Sequence, residues 1–401
     1  SAFFGSIPLI TVQSEVARQD DYASETHGTG YLRSFYNAVK SGTDSSIKRV
    51  FLTGVSPVTM DDLTTGFNIG TNYSLDSRFN EMTGFTEEES LMSAYIFVHF
   101  TGEDTPDGEQ IYFSVSRDGL NWSDLNGGKP VLVSELGEKG VRDPFIVRHP
   151  VTGRFYLMAT DLRMYTKKDW GAAVHEGSRD MIVWESDNLI DWSEAAAYTI
   201  GKENAGCVWA PEAVYDENSK KFMVFFASFT RADGRRPECG EDKPGDKHII
   251  YRTFTDDFRS FTAPEIYIER EQSIIDTTIV QDGAKYYRIS KDEVSKCLIL
   301  EEGDSLDKDA FKVVESDTLA SLFGLEGPEC YRLPDGRFCL IADRFAEHKG
   351  YMPIVMDDIA KGRMHVLDDT GYDMGSSRKR HGGVMEITDA EYESLVGRFG
   401  I

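Results

Sequence analysis

The sequence predicts a mainly β chain, a five-bladed β-propeller preceded by a small α/β segment, on three observations. From Ala94 to the C-terminus one unit returns five times, each with an ionisable side chain near the start of its innermost strand: Asp143, Glu212, Asp276, Glu326 and His381. The strands are short, rich in β-branched and aromatic residues and broken by Gly/Asp turns, recurring about every 50 to 70 residues as propeller blades do. The two ends also complement each other: Ala94-Tyr95-Ile96-Phe97-Val98 lacks an inner strand before it, and Gly383-Val384-Met385-Glu386-Ile387 lacks the rest of its blade. Sharing one blade between them closes the ring and hides a sheet edge.

Taken in order, residues 1–91 read differently from the rest. Gly30 to Lys40 is helix-like and ends at Gly42, and Val50-Phe51-Leu52-Thr53-Gly54-Val55 has the pattern of a buried strand. This α/β segment is taken as a truncated fragment, and 92–401 as the propeller. Each propeller unit opens on the segment that holds its ionisable group: Arg142-Asp143-Pro144-Phe145, Trp209-Ala210-Pro211-Glu212, Ile275-Asp276-Thr277-Thr278, Glu326-Gly327-Pro328-Glu329 and Arg380-His381-Gly382-Gly383. A polar turn such as Gln281-Asp282-Gly283 follows, since Gly and Asp tolerate turn dihedrals. Aromatic-rich strands come next: Phe155-Tyr156-Leu157-Met158, Phe222-Met223-Val224-Phe225, Tyr286-Tyr287-Arg288-Ile289 and Phe338-Cys339-Leu340-Ile341. Units close on turns ending in an aromatic ring, as in 118–122, 187–192 and 257–261, with a looser version at 305–311.

Composition narrows the partners. A net charge of −25 repels phosphate, which argues against nucleic acid and anionic membrane and leaves room for a neutral ligand such as a sugar. No apolar run is long enough to span a bilayer. The five cysteines are odd in number, two of them in expected core strands or beside ionisable residues, against a full disulfide framework. No charged-then-apolar leader opens the chain, so a cytoplasmic location is the expectation.

Two resemblances add to this. Thr26-His27-Gly28-Thr29-Gly30, Phe51 to Val58, Gly66-Phe67-Asn68-Ile69 and Gly84 to Glu89 together resemble an internal stretch of an AAA-ATPase-like domain. The segment lacks a Gly-rich turn followed by Lys and Ser/Thr, the arrangement that cradles phosphates, so no ATPase activity is expected. The five opening segments of the propeller units, in register from about Ser93 to Leu395, resemble the ordered motifs of glycoside hydrolase family 43. That resemblance implies a five-bladed propeller cleaving α-L-arabinofuranosyl or β-D-xylosyl linkages with inversion. It implies Asp143 as general base, Glu326 as general acid, and Asp276 as a third carboxylate that orients Glu326 and raises its pKa. His381 resembles a channel histidine that holds calcium in many members; no cofactor is required for the hydrolysis, and any calcium would be structural. Asp276 departs from the pattern in being followed by two threonines rather than proline and serine.

The chemistry asks for such residues in its own right. Inverting hydrolysis needs a carboxylate to take a proton from water and a protonated one to give a proton to the leaving oxygen, about 6.5–9.5 Å apart. Carboxylates on different inner strands of a ring can meet that spacing. Bland readings stand beside these. An Asp before Pro commonly opens a turn, which is the structural reading of Asp143. Glu329 competes with Glu326 for the acid role, and is read as structurally paired; Glu212 is read as a hydrogen-bonding anchor of its strand. Trp209 is either a sugar platform or core packing, and Arg344 either reaches sugar hydroxyls or forms an ion pair. His381 has a reading as a hydrogen-bonded core residue, and no carboxylate cluster of calcium-loop spacing accompanies it. The expected activity is therefore removal of arabinofuranosyl or xylosyl units from plant cell-wall oligosaccharides. The alternatives are a carbohydrate-binding propeller without catalysis and, less favoured, an NTP-driven regulator.

Overall fold

The computed structural model describes residues 92–240 and 242–401; the whole 1–91 segment, with its expected helix and strand, lies outside them. Strands β1 (Met92–His99), β2 (Tyr112–Ser116) and β3 (Trp122–Asp124) begin the ring. Four strands then form each of the next three sheets: β4 (Val141–Arg148), β5 (Phe155–Asp161), β6 (Asp180–Ser186) and β7 (Ala196–Thr199); β8 (Trp209–Asp216), β9 (Lys221–Thr230), β10 (Lys247–Thr255) and β11 (Glu265–Ile268); β12 (Ile274–Asp282), β13 (Lys285–Asp292), β14 (Leu298–Gly303) and β15 (Lys312–Val313). The fifth is β16 (Glu326–Arg332), β17 (Phe338–Asp343), β18 (Tyr351–Asp358) and β19 (Arg363–Val366). The last strand, β20 (Gly383–Thr388), pairs antiparallel with β1, Ala94 opposite Ile387 and Val98 opposite Gly383, and completes the first sheet as the order β20-β1-β2-β3. The expected closure by the two ends is therefore the closure observed, and the inner strands β4, β8, β12, β16 and β20 contact one another in turn around the hub.

Short helices fill the connections: α1 (Met164–Lys167) and α2 (Trp170–His175) between β5 and β6, α3 (Asp317–Ser321) before β16, and α4 (Asp389–Phe399) at the end. Among the described residues no helix is long and apolar enough to cross a membrane. Helix α4 starts on a capping box, Thr388 Oγ1 accepting from the Glu391 N–H at 3.2 Å and Glu391 Oε2 from the Thr388 N–H at 2.8 Å. Arg148 on β4 pairs with Glu391 at 2.7 Å, which ties this helix to the neighbouring blade.

The aromatic runs are explained by what lies on either side of each sheet. In β5, Phe155, Leu157 and Ala159 pack towards the first blade while Tyr156 and Met158 pack towards the third. Strands β9 and β17 do the same, Phe222, Val224 and Phe226 opposing Met223, Phe225 and Ala227, and Phe338, Leu340 and Ala342 opposing Cys339 and Ile341. A strand covered on both faces has no polar side, so its sequence reads as a continuous apolar run. Five such apolar layers, one between each pair of neighbouring blades, are the core.

The closing turns repeat at atomic detail. Ser116 Oγ, Ser186 Oγ and Thr255 Oγ1 each accept from the N–H three residues on, at 2.9, 2.9 and 2.8 Å. Asp118, Asn188 and Asp257 accept from the two N–H groups that follow. The residue between is left-handed in all three: Gly119 (φ 75°), Leu189 (φ 65°) and Phe258 (φ 56°). Leu189 and Phe258 are fully buried. Roughly 1.5–3 kcal/mol from burying such a side chain outweighs the roughly 1–2 kcal/mol that a left-handed L-residue costs.

Candidate active site

The hub is shaped by one device used four times. In β4, β8, β12 and β16 the pairing slips by one residue near the strand start, between Arg142 and Phe145, Trp209 and Glu212, Ile275 and Thr277, and Glu326 and Glu329. The left-handed residue inside each slip is Asp143 (φ 50°), Ala210 (φ 47°), Asp276 (φ 47°) or Gly327 (φ 52°). Such bulges re-aim side chains and gather beside functional sites. Proline follows three of the four, at a point where the ladder has no use for its missing N–H. After Asp276 the chain has Thr277 instead, whose Oγ1 lies 2.9 Å from Ser290 Oγ on β13.

This register corrects the expectation that the five ionisable residues are equivalent. Asp143 and Asp276 occupy the bulge itself, Glu326 stands one residue before it, Glu212 two residues after it in the place Glu329 takes on β16, and His381 precedes β20. Their side chains nevertheless converge. His381 Nδ1 lies 3.5 Å from Asp143 Oδ1 and 3.8 Å from Asp276 Oδ1, and its Nε2 lies 3.8 Å from Glu212 Oε1. Asp276 Oδ2 accepts from the Gly327 N–H at 3.1 Å, next to Glu326. Thr160 Oγ1 donates to Asp143 Oδ2 at 2.9 Å and accepts from the Ala210 N–H at 2.7 Å, so Asp143 is braced by its own blade, through a hydroxyl that the next blade holds. The side chains of Asp143 and Glu326 are 16% and 19% exposed against 3% for Glu212, which separates a solvent-reachable pair from a buried one.

Gly327 is required where it stands. Its φ is left-handed, and a Cβ there would sit 2.6 Å from His381 Cγ. Tyr351 locks the same spot, its hydroxyl donating to Gly327 O at 2.7 Å and accepting from the Gly382 N–H at 3.0 Å.

The charges follow from these neighbours. Burial alone would depress the His381 pKa, but Glu212, Asp276 and Asp143 outweigh it and push it up to about 10, leaving an imidazolium at neutral pH. Burial raises Glu212 to about 7, and its Oε2 has no hydrogen-bond partner among the described residues. Burial likewise raises Asp276, against the opposing charges of His381 and Lys291. Glu326 goes the other way. Burial favours its acid form, but Lys291 Nζ at 3.0 Å from Oε2 and Arg380 at 2.7 Å from Oε1 hold it down at about 2. The expectation that Glu326 keeps its proton near neutral pH is thus reversed in this structure, because two cations occupy its two oxygens.

The remaining expected residues are placed as follows. Glu329 is structurally paired, accepting from the Val384 N–H at 2.8 Å and from Thr278 Oγ1 at 3.3 Å. Glu212 faces the His381 ring, with side-chain hydrogen bonding to His381 and to Thr278 of the neighbouring inner strand, while its Oε2 has no partner among the described residues. Trp209 packs with one face on His248, ring centroids 5.1 Å apart, while Trp170 meets it edge-on and is 49% exposed. Arg344 donates to the carbonyls of Lys349, Gly350 and Tyr351, so its contacts fold it onto its own loop rather than the carboxylate cluster. His381 fits a calcium ion poorly: among the described residues no three His, Cys, Asp or Glu side chains are grouped to hold a metal, and its ring nitrogens already face carboxylates. Clefts beside Lys285 and Lys312, and beside Asp282 and Arg337, hold none of the cluster.

Sequence reasoning missed Lys291 and Arg380. Lys291 stands in a buried stretch of β13 directly opposite Ile275, and a lysine in a run of buried residues was the signal available for it. Arg380 adjoins His381 and is held by Asp343 as well as Glu326. Arg142 pairs with Glu109 at 2.9 Å and Glu103 at 3.2 Å.

A curated relative, an alpha-L-arabinofuranosidase from Bifidobacterium longum subsp. longum, is 29% identical over 281 residues, which is 61% of this chain and 26% of the relative. The chain therefore spans about a quarter of the length of that relative. Among solved structures, an endo-1,4-beta-xylanase from Bacteroides thetaiotaomicron is 15% identical with a TM-score of 0.49, covering 71% of this chain and 94% of that one. A putative exo-beta-1,3-galactanase from Bifidobacterium bifidum is 12% identical with a TM-score of 0.46, covering 74% and 96%. A family model described as "Predicted AAA-ATPase" matches residues 9–64, in the segment outside the described residues. The model described as "Probable glycosyl hydrolase domain" matches residues 90–393, three quarters of the chain and all of its five blades, and the chain belongs to that family, which is related to glycoside hydrolase family 43.

Proposed function

We propose that the chain is an inverting glycoside hydrolase that removes arabinofuranosyl or xylosyl units from plant cell-wall oligosaccharides. The observation that carries the reading is that carboxylates from three separate blades, Asp143, Asp276 and Glu326, gather at the hub around His381 and Gly327. In this reading Asp143, braced by Thr160, takes the proton of the attacking water. Glu326 gives a proton to the leaving oxygen, and Asp276 fixes the backbone beside it through the Gly327 N–H. The relative named as an arabinofuranosidase supports the sugar class. All five cysteines are free thiols, which supports the cytoplasmic setting.

The test is a panel of nitrophenyl glycosides with the full chain, with the anomer of the first product followed by NMR. Asp143→Asn and Glu326→Gln should each lower turnover of an oligosaccharide by about 10²–10⁴, the range a positioned acid or base contributes. Retention of the anomeric configuration would rule out inversion. A chain beginning at Met92 should match the full chain, since we assign no step to residues 1–91.

One observation favours a second reading, a carbohydrate-binding propeller without catalysis: both oxygens of Glu326 are engaged by cations, which favour its charged form. Sugar binding without turnover on any member of the panel would establish it.

A further inference from the structure

A general acid needs one oxygen free to carry and deliver a proton, yet Glu326 has neither. Its two cations are not equivalent. Arg380 is fixed by Asp343 as well as Glu326, and lies 3.5 Å from Glu103. Lys291 is different: its Nζ lies 3.0 Å from Glu326 Oε2 and 2.9 Å from Glu293 Oε2, so it already holds a second carboxylate. The Lys291 side chain is 2% exposed and its ammonium lies 4.4 Å from the centre of the Phe345 ring. Glu293 is 31% exposed, its Oε2 is buried, and it is itself paired with Lys296.

We propose that Lys291 is a positioning residue for the hydrolysis, and that it gives up Glu326 Oε2 to the glycosidic oxygen of a bound substrate while keeping Glu293. The inference rests on the reading of Glu326 as the acid. Burial makes an unpaired ammonium costly, so a lysine could leave Glu326 only if another carboxylate stayed with it, and Glu293 is placed to do this. With Lys291 withdrawn, Glu326 is faced by Arg380 and His381 from the segment before β20, by Asp276 from β12 and by Asp343 from β17, with Glu103 beyond Arg380. Burial and the neighbouring carboxylates are then opposed chiefly by Arg380, so the Glu326 pKa moves up towards the protonated form. Oε2 takes a proton from solvent and passes it to the leaving oxygen as the bond from the anomeric carbon to that oxygen breaks. Water forms the new bond to the anomeric carbon and loses its proton to Asp143, which returns it to solvent. One water is consumed and both carboxyl groups end as they began.

The experiment is the pH profile of kcat, which reports the substrate complex, for the full chain on an arabino- or xylo-oligosaccharide, whichever it cleaves. Lys291→Met should move the alkaline limb, which reports the acid, upward by about one pH unit or more, with the acidic limb in place. Glu293→Gln should move the same limb downward, because it leaves Lys291 to Glu326 alone. Lys291→Arg, which keeps the charge, should leave the limb near its wild-type position. Shifts of the same sign in the methionine and glutamine variants, or no shift, would overturn the role of Lys291. Should Lys291→Met not fold, the direction of the Glu293→Gln shift decides. Glu326→Gln separates the two ideas: undiminished oligosaccharide cleavage by it would overturn the acid assignment and the Lys291 proposal together. An unmoved limb in an enzyme that Glu326→Gln disables overturns the Lys291 proposal alone.

Discussion

His381 is charged because of what faces it, and the sign of that charge sets a pH dependence. Its pKa in the folded chain, about 10, lies above the roughly 6.5 of an unfolded histidine. A group raised in this way contributes stability that is complete below the unfolded pKa and is lost as pH rises through the folded one. The difference in Tm between the wild type and His381→Gln should therefore be largest below about pH 6.5 and shrink towards pH 10. Thermal melts at intervals across that window check it, and a difference independent of pH would mean that the ring is not held as an imidazolium. The position of His381 was legible as the fifth return of the repeat. Its charge was not, because Asp143, Glu212 and Asp276, which set it, are far from it in the chain and meet it only when the ring closes. The same distance in sequence hid Lys291 and Arg380 from view and made Glu326 look like an unopposed acid.

Within each blade, strand identity was legible and strand geometry was not. Apolar runs such as Phe155 to Ala159 announce a strand covered on both faces, and Ser/Thr-x-Asp/Asn turns announce where it ends. The bulges gave no such notice: Ala210 and Asp276 are left-handed without being glycine, a conformation imposed by the hub rather than preferred by the residue. Hence the ionisable groups were read as one position when they occupy four. The left-handed turn residues offer a measurement of how burial and strain compare. Leu189→Gly removes a fully buried side chain but also relieves the strain of φ 65°, whereas Leu157→Ala creates a cavity in an unstrained strand. Leu157→Ala should cost about 2–5 kcal/mol, and Leu189→Gly about 1–2 kcal/mol less than its lost burial alone would suggest. Urea titration of both variants tests this; an equal or larger loss for Leu189→Gly would show that the turn stores no strain.

At the scale of the whole molecule, the ring depends on its last nineteen residues more than their number suggests, because β20 is the inner strand of the blade that β1 begins. This closure was legible because each end of the propeller lacked what the other supplied. Strand β20 contributes Val384 to the layer shared with β16–β19 and Ile387 to the layer shared with β4–β7, and α4 adds Leu395 to the second. Removing residues 383–401 would strip apolar cover from two of the five layers and leave the inner edge of β1 without a partner. It would also remove the hydrogen bond that Val384 N–H gives to Glu329 and the Arg148 pairing with Glu391. Blades in a closed ring are each covered by two neighbours, so the loss should not stay local. A chain ending at Gly382 is expected to lose its cooperative urea transition and its near-UV circular dichroism, although His381 itself is retained. A sharp transition with the m value of the full chain would show instead that the ring stands open without β20, and that closure serves the site rather than the fold.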